Sequence, residues 1–295
     1  MTDLDNAPAA SSTDTPFADR YGPWALVAGA SEGVGAAYAR AMAERGLDVV
    51  LLARRQAALD EVASAIRADT GADTRTLAVD LSHHDAMETI VAATAGLDIG
   101  TVMYCAGADP DYEPFLARPV ETAVAMVDRN CVMPLRLCHH FAAPMQARGK
   151  GAIVLLSSAA GLYGSTNLVA YSATKAFDMV MAEALWTELH GNGVDVLSLV
   201  LGATDTPALR RMLVAQGILG SPDDPAPLPG VSTPDEVVAA AITNLPNGPT
   251  CFVGDQLGES ARQMGALTRN DAVKTMLRHS SGGMLAAGSR QEAGG

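Results

Sequence analysis

Tyr171 and Lys175 stand four residues apart in the run Tyr171-Ser172-Ala173-Thr174-Lys175. On a helix that spacing puts both side chains on one face, a single turn from each other. A phenol ionises near pH ~10, and a cation beside it lowers that value by roughly 1–3 units, into a range useful for giving and taking a proton. Chance pairs of this kind also occur on ordinary amphipathic helices. The elements that would have to position the pair decide between the two readings.

Short aliphatic runs alternate with stretches of helical period. Strands are expected at Ala25–Ala28, Val49–Leu52, Thr76–Val79, Thr101–Tyr104, Ile153–Leu156, Val194–Val200 and Thr250–Val253. Helices are expected after Gly33, over Gln56–Ala68, from Ser82, over Pro119–Arg148, over Tyr171–His190 and over Pro234–Asn244, with Gly46, Gly71 and Gly149 as stops. This order predicts an α/β fold, a Rossmann-like doubly wound parallel seven-stranded sheet with helices on both faces. Ligands of such sheets bind beyond the carboxyl ends of the strands.

The chain has 295 residues, 48% of them hydrophobic, enough for one α/β domain over residues 20–256. Its formal net charge of −13 argues against a nucleic-acid partner. Cys105, Cys131, Cys138 and Cys251 have no metal-ligand spacing and read as reduced residues of a cytoplasmic protein. The polar start, residues 1–19, reads as a disordered tail without the pattern of a signal peptide. No apolar run approaches the roughly 18 residues of a membrane span. Residues 206–233 break the rhythm: an apolar helical piece with Leu209, Met212, Leu213, Ile218 and Leu219 runs into a Pro-rich stretch, which reads as a lid or binding loop, with disorder as the alternative. Residues 257–295 read as a helical extension, from about Glu259 to Arg278, and a flexible tail.

The first strand runs into Gly29-Ala30-Ser31-Glu32-Gly33-Val34-Gly35 and then a helix. Glycines there allow a tight turn and a close approach of backbone to ligand, and the helix N-terminus offers N–H groups to a pyrophosphate. A purely structural turn is the alternative.

Gly29, Gly33 and Gly35, followed at the right distances by Ser158, Tyr171 and Lys175, resemble the short-chain dehydrogenase/reductase family in its single-domain form, over roughly Tyr21–Gly254. Ser158 lies thirteen residues before the tyrosine, as the family pattern asks, and Asn130 matches the family's asparagine. The resemblance implies a nicotinamide dinucleotide on the turn (Gly29, Ser31, Gly33, Val34, Gly35). It also implies adenine contacts from Asp80 and Leu81, further contacts from Cys105, Ala106 and Gly107, and a clamp from Gly202, Thr204 and Thr206. In the implied tetrad Ser158 hydrogen-bonds the substrate oxygen, Tyr171 moves the proton, Lys175 assists it and holds the ribose, and Asn130 anchors a water. Taken singly, each has a plainer reading: a turn serine, a solvated lysine, a local asparagine cap, an aspartate capping the next helix. Two departures stand out, Cys105-Ala106-Gly107 where the family has Asn-Ala-Gly, and Leu201-Gly202 where it has Pro-Gly.

Arg54 and Arg55 close the second strand, with no carboxylate there for a ribose hydroxyl, so NADP(H) is expected over NAD(H); the resemblance points to Arg54 as the phosphate contact, with Ser31 as a second. Glu32 counts the other way, since NADP-preferring relatives often carry a basic residue there. His83-His84 and His139-His140 are adjacent and make poor metal chelates on a helix, so no metal is expected. Tyr21-Gly-Pro-Trp24, Ala37-Tyr38-Ala39 and Val50–Arg54 resemble the branch holding 17β-hydroxysteroid dehydrogenases and long-chain 3-oxoacyl-CoA reductases. An apolar ketone or secondary alcohol is therefore the expected substrate, with Leu162, Tyr163, Leu209, Met212 and Leu213 as tentative contacts. A hydroxysteroid is favoured, with a 3-oxoacyl thioester as the alternative. A non-catalytic dinucleotide-binding regulator is the reading from another class. The family implies a homodimer or homotetramer through the Pro119–Arg148 and Tyr171–His190 helices.

Overall fold

The computed structural model describes residues 17–108, 112–224 and 230–281. The strands are β1 (Trp24–Ala28), β2 (Asp48–Ala53), β3 (Thr74–Ala78), β4 (Ile99–Tyr104), β5 (Gly151–Ser158), β6 (Val194–Leu201) and β7 (Thr250–Phe252). They form one parallel sheet in the order β3-β2-β1-β4-β5-β6-β7. The order reverses between β1 and β4, so the crevice of this Rossmann-like sheet opens beyond Ala28 and Tyr104.

The helices are α1 (Phe17–Tyr21), α2 (Gly33–Ala43), α3 (Gln56–Thr70), α4 (Ala86–Ala93), α5 (Val120–Val127), α6 (Met133–Arg148), α7 (Val169–Leu189), α8 (Pro207–Ala215), α9 (Pro234–Asn244), α10 (Asp255–Gly265) and α11 (Arg269–Ser281). Alternation along the strands builds two cores. Ala25, Val27 and Leu51 face one with α2, α3 and α9, while Leu26, Ala28 and Leu52 face the other with α4, α6 and α7. Burying each leucine contributes roughly 1.5–3 kcal/mol, and the inner strands β1, β2, β4, β5 and β6 are almost wholly buried because both faces of the sheet are covered.

Several expected elements differ in detail. Asp80 Oδ1 accepts from both the backbone N (3.0 Å) and the Oγ (2.7 Å) of Ser82, which holds a turn there, and α4 starts only at Ala86. His83 and His84 lie in that turn with ring centroids 4.7 Å apart. The long helix over 119–148 is interrupted by a π-helical turn, Asp128–Val132, and the C-terminal helix is two helices. Residues 1–16 and 282–295, parts of the expected tails, lie outside the described residues, as do 225–229 of the expected lid.

Helix α1 begins inside the stretch read as a tail. Phe17 and Ala18 pack on the core. Buried Asp195 of β6 accepts from Arg20 Nη2 at 2.6 Å and Tyr21 OH at 2.7 Å. Burial, then the hydrogen bond to Asp195, holds the Tyr21 phenol far above its ordinary pKa and protonated.

Candidate active site

The glycine-rich turn is shaped by contacts that no larger residue would allow. Gly29 has φ +89°, and a Cβ on it would lie 2.9 Å from the backbone N of Ala106. A Cβ on Gly35 would lie 2.1 Å from the Gly29 carbonyl oxygen. The turn thus binds the end of β1 to the end of β4 and to the first turn of α2. No side chain caps α2, so its first N–H groups point towards the crevice without a side-chain partner. Thr206 covers Gly33, its Cγ2 3.0 Å from where a Cβ would stand. Thr204 Oγ1 is buried without a partner among the described residues. An uncapped helix end, a glycine cradle and an orphaned hydroxyl fit the phosphates of a dinucleotide. Arg54 is exposed at the end of β2, and Ser31 and Val34 are on the turn. The Ser82 bonds, chiefly the one from its backbone, hold the Asp80 carboxyl below its ordinary pKa, with Leu81 buried beside it.

Asn130 is fully buried in the π-helical turn. Its Nδ2 donates to Thr174 Oγ1 at 3.0 Å and to the Gly107 carbonyl at 3.3 Å. Gly107 has φ +126°, and a Cβ there would meet Asn130 Oδ1 at 2.7 Å. With Cys105 where the family has asparagine, this Asn130–Gly107 contact links the loop after β4 to the helix. Thr174 Oγ1 in turn donates to the Tyr171 carbonyl at 2.9 Å, so Asn130 is tied to the turn of α7 that bears the tyrosine. π-bulges are frequent at functional sites because they redirect side chains.

Lys175 is buried. Its Nζ donates to the Leu156 carbonyl at 2.7 Å and to Asp178 Oδ2 at 3.0 Å, and it lies 6.0 Å from the centroid of the Tyr171 ring. Burial works against the ammonium, but Asp178 and Tyr171 outweigh it and hold the Lys175 pKa above its ordinary value. Ser157 Oγ donates to the Lys175 carbonyl at 2.6 Å, which fixes α7 against β5. Ser158, one residue on, has its Oγ accepting from Ala160 N at 3.2 Å, which leaves its proton to donate. The Tyr171 hydroxyl has no hydrogen-bond partner among the described residues.

Past Ser158 the chain leads to Leu162 and Tyr163, both half-buried. A cleft of about 520 Å³ lies between this loop, α7 and α11, lined in part by Gly161, Tyr163, Val169, Ala173, Val273 and Leu277. The Arg269 guanidinium sits over the Tyr163 ring at 5.6 Å. Leu209, Met212 and Leu213 share one face of α8 and are half-buried. They do not line the cleft. Thr206 caps α8 by accepting from Leu209 N at 3.2 Å, and Arg210 forks onto Asp205 at 2.5 and 2.7 Å.

Asn130, Tyr171 and Lys175 are therefore joined through α7, Ser158 is on the strand beside them, and the glycines, Cys105, Ala106 and Gly107 meet at the β1–β4 crevice. Gly202, Thr204 and Thr206 follow β6, with Thr204 pairing to Ser232. Sequence reasoning missed Asp178, Thr174 and Ser157. For Asp178 a signal was available, a carboxylate one helical turn beyond Lys175.

Among the described residues no helix is long and apolar enough to cross a membrane, and no group of three or more His, Cys, Asp or Glu side chains is placed to hold a metal. The short-chain dehydrogenase family model matches residues 23–216, and the chain belongs to that family. It is 32% identical over 259 residues to a 7β-hydroxysteroid dehydrogenase of Clostridium sardiniense, across 87% of this chain and 95% of that one. A solved structure described for 7β-hydroxysteroid dehydrogenase stereoselectivity superposes with a TM-score of 0.81 at 33% identity, across 89% of this chain and 99% of the other. A short-chain dehydrogenase from Sphingobium yanoikuyae in complex with NADPH superposes with a TM-score of 0.69 at 28% identity, across 83% and 96%.

Proposed function

We propose that this chain is an NADP(H)-dependent oxidoreductase that interconverts a ketone and a secondary alcohol on a hydroxysteroid. The relatives favour the 7β-hydroxyl, which moves the expected position on the steroid away from C17. The observation that carries the reading is the junction of Tyr171, Lys175, Asn130 and Thr174 beside the β1–β4 crevice. The nicotinamide supplies the hydride when bound. Gly29, Gly33, Gly35, Thr204 and Thr206 hold its phosphates, and Asp80 and Leu81 border the adenine. Arg54 faces the 2′-phosphate, and the NADPH-bound relative supports that cofactor.

In reduction, Tyr171 donates its hydroxyl proton to the carbonyl oxygen, and in oxidation it takes that proton back. Ser158 donates a hydrogen bond to the same oxygen, where charge develops. Lys175 stabilises negative charge on the phenol and contacts the ribose. Asn130 anchors the path by which the proton is replaced. The apolar body of the substrate is assigned to the space beyond Ser158 and Tyr171, with Leu162 and Tyr163 and, from α8, Leu209, Met212 and Leu213 as its contacts.

We further propose a homodimer or homotetramer. Val120, Val124, Val127 and Leu135 on α5–α6 and Val169, Phe177 and Val180 on α7 form an exposed apolar face. Four free cysteines suit a reducing cytoplasm.

The test is turnover by purified protein with NADPH and NADH against hydroxysteroids, 3-oxoacyl thioesters and small ketones. Tyr171→Phe is expected to lower kcat by about 10²–10⁴-fold. Tight NADPH binding with no turnover, unchanged by Tyr171→Phe, would establish a non-catalytic dinucleotide-binding regulator instead. Preferred turnover of 3-oxoacyl thioesters would replace the steroid assignment.

A further inference from the structure

Glu32, in the glycine-rich turn, is a carboxylate close to where the NADP(H) phosphate is expected, yet it does not face the crevice unpaired. Its Oε2 accepts from Arg55 Nη2 at 2.8 Å, at the end of β2. Arg211, on lid helix α8 and 179 residues further along, donates Nη2 to Oε1 at 2.5 Å and Nη1 to Oε2 at 3.2 Å. That is the parallel two-bond fork by which guanidinium groups recognise carboxylates and phosphates. Side-chain exposures of 26% for Glu32, 60% for Arg55 and 52% for Arg211 leave the cluster open to a competing ligand. Burial acts to raise the Glu32 pKa, but Arg211 and then Arg55 overcome it, so the carboxyl stays ionised. Arg54, next to Arg55 in the chain, is exposed and acts on Asp80 rather than on Glu32. Two guanidinium groups thus converge on one carboxylate.

We infer that Glu32 holds Arg55 and Arg211 in place of the cofactor's 2′-phosphate, and that Arg211 is a cofactor-specificity residue contributed by the lid. This rests on the NADP(H) reading above. A phosphate monoester carries about −1.5 to −2 charge and three acceptor oxygens, against one charge and two oxygens for Glu32. Exposed ion pairs contribute only about 0–1 kcal/mol, so exchanging the carboxylate for the phosphate costs little. NADPH draws Arg211 off Glu32 and brings α8, with Leu209, Met212 and Leu213, to rest against the bound cofactor. NADH lacks the phosphate and leaves Arg211 where it is. Glu32, which by sequence argued against NADP(H), becomes an occupant that the phosphate displaces.

The test is equilibrium binding, by quenching of tryptophan fluorescence, of NADPH, NADH and adenosine 2′,5′-bisphosphate to the wild-type protein and to Arg211→Gln and Glu32→Gln. Arg211→Gln is expected to raise Kd for NADPH and the bisphosphate about tenfold and to leave NADH within about twofold. Glu32→Gln is expected to tighten NADPH and the bisphosphate several-fold and NADH less. Equal weakening of both nicotinamides by Arg211→Gln, or weaker NADPH binding in Glu32→Gln, overturns the inference. A wild-type protein that binds NADH more tightly than NADPH overturns the underlying cofactor reading instead, and the two failures are told apart by that comparison.

Discussion

Asp178 Oδ2 accepts from Lys175 Nζ at 3.0 Å, one helical turn along α7, and neither side chain is more than about a twentieth exposed. The lysine beside the tyrosine therefore has a carboxylate beneath it that shares its charge. Asp178 Oδ1 is buried without a partner, and Tyr104, Cys131 and Cys138 face the same carboxyl group. Toward Lys175 the facing charges are Asp178, Tyr171 and Arg129.

Asp178→Asn should separate this pair's role from mere packing. Lys175 has a raised folded-state pKa, so its contribution to stability is fully present below the ordinary lysine value of about 10.4 and is lost as pH rises through the raised one. In the variant, burial acts on the ammonium without Asp178 to oppose it, and its pKa falls. Stability at neutral pH should drop by on the order of 3 kcal/mol, with the deficit shrinking as pH rises towards about 10. The alkaline edge of kcat should move to lower pH by about one unit or more. Thermal denaturation and rate profiles from about pH 6 to about pH 10 check both, and an unmoved edge would assign Asp178 to packing alone.

Gly35→Ala places a methyl group 2.1 Å from the Gly29 carbonyl oxygen, a backbone atom that cannot swing aside. Overpacking of this kind costs typically about 1–3 kcal/mol, and here the distortion falls on the turn itself. Dinucleotide binding should weaken at least about tenfold, measured by fluorescence titration, with a lower Tm. Ala at Gly71, where a Cβ meets nothing within 4 Å, should leave binding intact and cost only the strain of a left-handed residue.

A Val124→Asp and Phe177→Asp double variant puts two charges on the exposed apolar face of α5 and α7. Light scattering coupled to gel filtration should report a monomer where the wild-type protein is a dimer or tetramer. An unchanged mass would rule this face out as the interface.

The sheet was legible because its inner strands are buried on both faces and so read as largely aliphatic runs; β6 and helix α9 lie within a residue of their expected bounds. The glycine turn was legible because its steric demands fall on consecutive residues. Departures came where distant residues intervene. Ser82 was claimed by Asp80 rather than by a helix, and Asn130 took a π-helical turn set by Gly107 and Thr174, partners 23 and 44 residues away. The Glu32–Arg211 fork spans 179 residues, and no local pattern announces it. The cleft beside α7 was the least legible, since α11, from beyond the expected domain end, supplies part of its lining.

Asp195 and Arg20 are 175 residues apart in the chain. The short α1 helix precedes all seven strands, yet the carboxylate it docks on belongs to the sixth of them. Docking of α1 is thus a late event in assembly, since a contact of such sequence separation cannot form before the intervening strands have brought its ends together. During synthesis, Arg20 and Tyr21 wait undocked while β1 to β5 are made, and β6 then brings a buried charge that, among the described residues, they and the nearby His190 meet.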